Sequence, residues 1–272
     1  MNGERRKERK QPMPKAQVNE STIYYQSTGK GTPLFFIPGL GAGISMYEPQ
    51  QQYFKAEYQV IIPELRGNGR SGSLSGVSPN QVMDTQCYDI YELMNQLNIK
   101  SAVFIGVSYG GVFCQKFASL FPERIKGLVI ADSFCDTRIK SMGLMQIIAA
   151  YSAIPMYYLP KKWLVAMTAG SYKKWPKASN EMQKTMRTIR RNEVAKQRLY
   201  INRINYTTFL PDIHSPVLLI SGKQMPSSWM EHIHKLLPDS QLIYIENSFD
   251  PSNLCQPDEF NKHVNDYLDK LH

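Results

Sequence analysis

Short apolar runs bounded by turn-forming residues recur along the chain: LFFI at 34–37, QVIIP at 59–63, AVFIGV at 102–107, GLVIAD at 127–132, PVLLIS at 216–221 and QLIYIE at 241–246. Between them lie stretches of helical spacing near 46–55, 80–97, 110–120, 228–236 and 257–271. Runs that are apolar throughout, rather than alternating, read as strands buried on both faces. Strands that take turns with helices build a mostly parallel sheet with helices on both sides. The fold class is therefore α/β. Two β-rich segments, 18–27 and 33–37, flank the turn-forming TGKGTP and predict a hairpin. The alternation stops between 134 and 210, where a Met-, Tyr- and Lys-rich stretch keeps helical periodicity without a convincing strand. It predicts a helical cap inserted over the C-terminal edge of the sheet. The chain then divides into a disordered basic arm at 1–17, a first core segment at 18–133, the cap at 134–210 and a second core segment at 211–272.

At 272 residues, with 42% apolar and 20% charged side chains, the chain can bury a full core, which excludes a disordered tail or a disulfide-stapled miniprotein. Its four cysteines, Cys87, Cys114, Cys135 and Cys255, are irregularly spaced without a C-x-x-C pair. Neither a disulfide framework nor a zinc cluster is expected, nor any metal or cofactor. The opening MNGERRKERK runs into no apolar stretch, and no apolar run reaches the ~20 residues that span a bilayer, so the expected location is cytoplasmic. The net charge of +9 is unevenly spread: +4 over 1–17, −1 over 18–133, +11 over 134–210 and −5 over 211–272. A basic cap suits an anionic ligand or surface, or is simply a solvated face. Within it, 144–167 is apolar and aromatic, with Tyr157, Tyr158 and Trp163 beside Lys161 and Lys162. That stretch reads as a greasy lid over an acyl-sized pocket, able to touch a membrane interface or a protein, or as the cap's own core. No nucleic-acid motif accompanies the cations, and specific DNA or RNA recognition is not expected.

The sharpest chemical signal is Gly106-Val107-Ser108-Tyr109-Gly110, with Gly111 following, between the run AVFIGV and the helical GGVFCQKFASLF. A G-x-S-x-G turn at a strand-to-helix junction makes the serine hydroxyl project from the sheet edge. The alternative is a glycine-rich turn around a buried serine. With this motif in place, the chain from about 20 to 270 resembles the α/β-hydrolase superfamily. Ile37-Pro38-Gly39-Leu40-Gly41 resembles the family's oxyanion loop, and Glu64-Leu65-Arg66-Gly67-Asn68-Gly69-Arg70-Ser71 its D-x-R-G-x-G-x-S loop, with Glu64 for the usual aspartate. The resemblance implies an α/β-hydrolase fold with a cap, Ser108 as nucleophile, and the main-chain amides of Leu40 and Tyr109 as the oxyanion hole. A weaker resemblance, to maspardin-type members that bind proteins, rests on QKFASLF through DSFCDT.

The same resemblance exposes two departures. Met225, in Gly222-Lys223-Gln224-Met225-Pro226, stands at the family's acid position, and Asp250, after Phe249, stands at its histidine position. Asp132, the last residue of the GLVIAD run, is at an alternative acid position. His214, His232, His234, His263 and His272 all fall away from the C-terminal strand ends where such sheets keep their chemistry. A carboxylate of ordinary pKa near 4 is a poor base beside imidazole. The reading is a hydrolase-fold protein, weakly active or non-catalytic, that binds a small-molecule or protein ligand. The alternative is a carboxylesterase- or lipase-like serine hydrolase, acting on an anionic or acyl ester through Ser108 with a non-standard acid and base.

Overall fold

The computed structural model describes residues 14–138 and 143–271. Eight strands, β1 (Lys15–Val18), β2 (Ser21–Thr28), β3 (Pro33–Ile37), β4 (Gln59–Pro63), β5 (Ala102–Val107), β6 (Ile125–Ala131), β7 (Val217–Gly222) and β8 (Ser240–Ile245), form one sheet in the order β1-β2-β4-β3-β5-β6-β7-β8. From β4 through β8 every pairing is parallel, while β1 and β2 are antiparallel at one edge. The helices are α1 (Glu48–Phe54), α2 (Val82–Gln96), α3 (Tyr109–Leu120), α4 (Leu144–Met156), α5 (Lys161–Ser171), α6 (Pro176–Thr188), α7 (Arg191–Ile201), α8 (Ser227–Leu236), α9 (Ser252–Cys255) and α10 (Pro257–Leu268).

Side chains alternate across each strand, and this sorts the core into two layers. On β3, Phe35 and Ile37 join Ile90 of α2, Phe113 and Phe117 of α3 and Ile233 of α8, whereas Leu34 and Phe36 join Phe54 of α1 and Phe260 and Val264 of α10. Phe35 stacks on Phe104 at 5.0 Å between ring centroids, and Phe104 on Phe117 at 4.6 Å, tying β3, β5 and α3 together.

The expected hairpin across TGKGTP does not form: β2 pairs with β4, and β3 lies on the far side of β4. A Cβ on Gly29 or Gly31 would meet the carbonyl oxygens of Tyr58, Lys55 or Glu57 at 2.2–2.5 Å, so this segment is a crossover wedged against the approach to β4. Fully apolar β3 and β4 take the middle of the sheet, and half-exposed β2 is left toward the edge. The hairpin that does form joins β1 to β2 through Asn19 and Glu20, both at positive φ. Lys15–Val18 is thus a strand, not part of a disordered arm; residues 1–13 of that arm lie outside the described residues.

Helices α4–α7 lie between β6 and β7, and they pack on α2 and α9 and hydrogen-bond to loops that follow the C-terminal ends of strands. Arg190 donates to the carbonyls of Ser71 and Gly72 after β4, Gln197 to Asn68, and Tyr172 and Trp175 to the loop after β8.

Candidate active site

Ser108 sits at φ 57°, ψ −116°, the single residue between β5 and α3. Its amide donates to the Ala131 carbonyl at 2.9 Å, and its carbonyl accepts from the amides of Gly111 and Val112 and from Ser133 Oγ. A positive φ on a side-chain-bearing residue is unfavourable by itself, and here the neighbours enforce it. A Cβ at Gly106 would lie 2.1 Å from the Gly110 carbonyl, and one at Gly110 would lie 2.0 Å from the Ile37 carbonyl. The turn can be this tight only because both positions lack side chains. The outcome is a half-buried hydroxyl presented at the strand ends.

That hydroxyl donates to Asp250 Oδ2 at 2.8 Å. Asp250 lies on the loop between β8 and α9, and the cap holds this loop. Tyr172 Oη donates to the Asp250 carbonyl and Trp175 Nε1 to the Asn247 carbonyl, each at 2.7 Å. Phe249 lies against the Tyr172 and Trp175 rings, with centroids 6.3 and 6.5 Å away. Phe249 therefore fills the space between loop and cap rather than crowding Ser108.

Behind Asp250 is Asp132, at φ 46° just past β6 and only 1% exposed. Its Oδ1 accepts from the Gly222 amide at 2.8 Å and its Oδ2 from the Ser252 amide at 2.6 Å, so one buried carboxyl joins the ends of β6 and β7 to the Asp250 loop. Burial pushes both carboxyls upward. For Asp250, burial and the charge of Asp132 outweigh the Ser108 hydrogen bond and raise its pKa to about 8. For Asp132, burial outweighs the two amide donors and raises it to about 6. Two carboxyls in one water-poor site resist ionising together.

The amides of Leu40 and Tyr109 are not engaged by any hydrogen bond among the described residues. Tyr109 is the first residue of α3, where an amide has no intrahelical acceptor. The Leu40 loop is braced by Met46 Sδ, which accepts from the Gly39 amide at 3.2 Å, and by Tyr47 Oη, which donates to the Ile37 carbonyl at 3.0 Å. Glu64 accepts the Arg70 amide at 2.7 Å across its own loop, a structural duty its extra methylene still allows.

Met225 lies in the turn after β7, where its amide closes back on the Gly222 carbonyl, and the carboxyl beside Asp250 is Asp132 instead. His214 is in the exposed segment before β7, His232 and His234 are exposed on α8, and His263 pairs loosely with Glu259 at 3.8 Å on α10; His272 is outside the described residues. The side chains that sequence reading missed are Tyr172 and Trp175. They act across 78 and 72 residues of chain, and no local motif signals such a contact. Two cavities lie against the cap. One of about 650 Å³ lies between the Gly41–Ser45 loop, the Glu64–Arg70 loop and α6, with Glu64, Arg70, Glu181, Lys184 and Arg190 among the residues in its wall. The other, about 210 Å³ and mostly apolar, lies inside the cap between α4, α5 and α6, with Tyr172 in its wall.

A family model described as alpha/beta hydrolase fold matches residues 32–252. The chain is 25% identical over 263 residues to a putative carbamate hydrolase, RutD, of Azorhizobium caulinodans, covering 92% of this chain and 96% of that one. It is 36% identical to 3-oxoadipate enol-lactonase 2 of Acinetobacter baylyi over 100 residues, 37% of this chain and 36% of the other. Among solved structures, an esterase from Exiguobacterium antarcticum superposes with a TM-score of 0.83 at 20% identity, over 95% of this chain and 100% of that one.

Proposed function

Because the chain belongs to the alpha/beta hydrolase fold family, with hydrolases among its relatives, we propose that it is a slow serine acyl hydrolase. In this reading Ser108 is the nucleophile, Asp250 the base and Asp132 the carboxyl that tunes it. The observation that carries it is the 2.8 Å hydrogen bond from Ser108 Oγ to Asp250, with a buried second carboxyl behind.

In the usual triad a neutral imidazole becomes a cation as it takes the serine proton, and a nearby carboxylate favours that change. Here an anion becomes neutral as it takes the proton, and a nearby carboxylate favours that change as well. Asp132 therefore works in the same direction with a different base. As Ser108 Oγ bonds to the acyl carbon, its proton passes to Asp250. The carbonyl oxygen gains charge facing the amides of Leu40 and Tyr109, and Asp250 returns the proton to the departing alkoxide. Water deprotonated by the same carboxylate then attacks the acyl carbon, and Asp250 returns that proton to Ser108 Oγ as the acid departs. A carboxyl raised to about 8 is a far stronger base than an ordinary one, but only about a tenth of it is ionised at pH 7. The reaction is therefore slow at neutrality and rises in alkali. The substrate class is a carboxylic ester or lactone.

A fluorophosphonate labelling time course on wild type and Ser108→Ala across pH 6–10 tests this. Labelling forms the Oγ–P bond and expels fluoride, so it reads activation of the serine alone. Ser108-dependent labelling should accelerate as pH rises through about 8. No Ser108-dependent labelling at any pH would leave a binding protein, a role favoured by the protonated Asp250 at pH 7. A rise centred near ~6.5 would implicate an imidazole instead.

A further inference from the structure

Helices α4 and α5 are poorly covered for their composition. α4, LMQIIAAYSAIPM, has no charged residue and apolar side chains on all sides, yet among its described side chains only Ala150 is buried. In α5 only Leu164 is buried. A helix that is apolar around its circumference normally has a cover on every side. Six of the eight exposed large hydrophobic residues among the described residues belong to this one stretch: Leu144, Met145, Ile148, Tyr158, Trp163 and Met167. The positions 144, 145 and 148 lie on one side of α4, and Trp163 and Met167 are one turn apart on α5.

The charge of the same region is one-sided. Residues 144–180 hold five lysines and no acidic residue. Lys161 and Lys162 directly precede Trp163 and are exposed, as are Lys173, Lys174 and Lys177. Apolar and aromatic side chains flanked by lysines are the pattern of a helix lying in the plane of a bilayer interface, with apolar groups among the acyl chains and cations at anionic headgroups. No helix among the described residues is long and apolar enough to cross a membrane.

We propose that the α4–α5 face of the cap seats on an anionic lipid bilayer, lying on it rather than spanning it. The occupant follows from charge complementarity: a protein partner or a second copy would have to match five lysines, whereas the core of this chain carries its acidic residues scattered over 18–133 and 211–272. The mostly apolar cavity of about 210 Å³ between α4, α5 and α6 has in its wall both Met167 of this face and Tyr172, which bonds to the Asp250 carbonyl. This inference does not depend on hydrolysis, and Ser108→Ala should bind as wild type does.

The test is co-sedimentation of the full chain with vesicles of phosphatidylcholine alone and of phosphatidylcholine with ~30 mol% phosphatidylserine, across a salt series. Binding should require phosphatidylserine and be released by high salt. Lys162→Ala combined with Lys173→Ala should weaken it roughly twenty-five-fold, at about fivefold per lysine. Brominated lipid should quench tryptophan emission in wild type and much less in Trp163→Phe. Leu144→Ser with Met145→Ser should also reduce binding. If that variant fails to fold, the lysine pair and Trp163→Phe still decide, since their side chains are exposed. Absent or charge-independent binding would overturn the proposal, as would quenching unchanged in Trp163→Phe. So would lipid-free self-association in sedimentation velocity that Trp163→Phe abolishes, because the face would then be a protein interface.

Discussion

The centre of the site is one hydroxyl and two carboxyls, and their proton affinities make the first expectation. Asp250→Asn keeps an acceptor near Ser108 Oγ but removes the proposed base, so under the proposed function Ser108-dependent hydrolysis of p-nitrophenyl esters should fall ~10²- to 10⁴-fold. The same change should stabilise the fold in alkali. Between its unfolded value of 3.8 and about 8, folded Asp250 holds a proton that the unfolded chain has released, so its contribution is present in acid and lost as pH rises through about 8. Asp250→Asn should therefore raise the melting temperature by on the order of a few degrees at pH 9, a gap that calorimetry should see close towards pH 4. Asp250→His should place an imidazole beside Ser108 with Asp132 already behind it, and speed hydrolysis at pH 7. Adding Asp132→Asn should cancel that gain, whereas adding Met225→Asp should contribute little, since position 225 lies in a separate turn. The place of Ser108 in the turn between β5 and α3, and the odd residue at 250, were legible in the sequence, because a glycine-framed turn and its neighbours in chain order carry them. Asp132's hold on the Gly222 and Ser252 amides was not, because two main-chain donors from distant segments leave no mark on sequence spacing.

At the level of elements, β3 through β7 could be read from the chain because a strand buried on both faces has few polar residues to interrupt it, and the half-exposed edge strand β8 still carries the apolar run LIYI. The β2 partner could not. TGKGTP has the composition of a tight turn, but its glycines serve close approach to Lys55, Glu57 and Tyr58, a contact made with a segment some 25 residues on. β1 was hidden for a different reason: KAQV is short and half polar, and it becomes a strand by pairing with β2 at the sheet edge. The β5–α3 junction makes a sharp mechanical claim. Gly110→Ala would drive a methyl into the Ile37 carbonyl, which is main chain in the middle of the sheet and cannot swing aside. Urea unfolding should show a loss of roughly 2–4 kcal/mol, at the severe end for a single methyl. Ser108→Ala should cost far less than Gly110→Ala, since Oγ makes one side-chain hydrogen bond and Cβ is already accommodated.

Over the whole molecule, cap and core are joined at the active site itself, and this gives the cap's grip on the Asp250 loop a kinetic meaning. Tyr172 and Trp175 of the cap are the residues that fix the main chain of the Asp250 loop. Lifting that part of the cap would break both 2.7 Å bonds and release the loop, so an open molecule would also have the proposed proton acceptor out of position. Opening and disassembly would then be one event, and under the proposed function closure would be a checkpoint for each turnover. Native-state hydrogen exchange can observe this directly. The Trp175 amide, bonded to the Tyr172 carbonyl, and the Gln224 amide, bonded to the Ser248 carbonyl across the loop, should exchange with one shared opening free energy. Tyr172→Phe with Trp175→Phe should split them, leaving two independent fluctuations where the intact chain has a single latch.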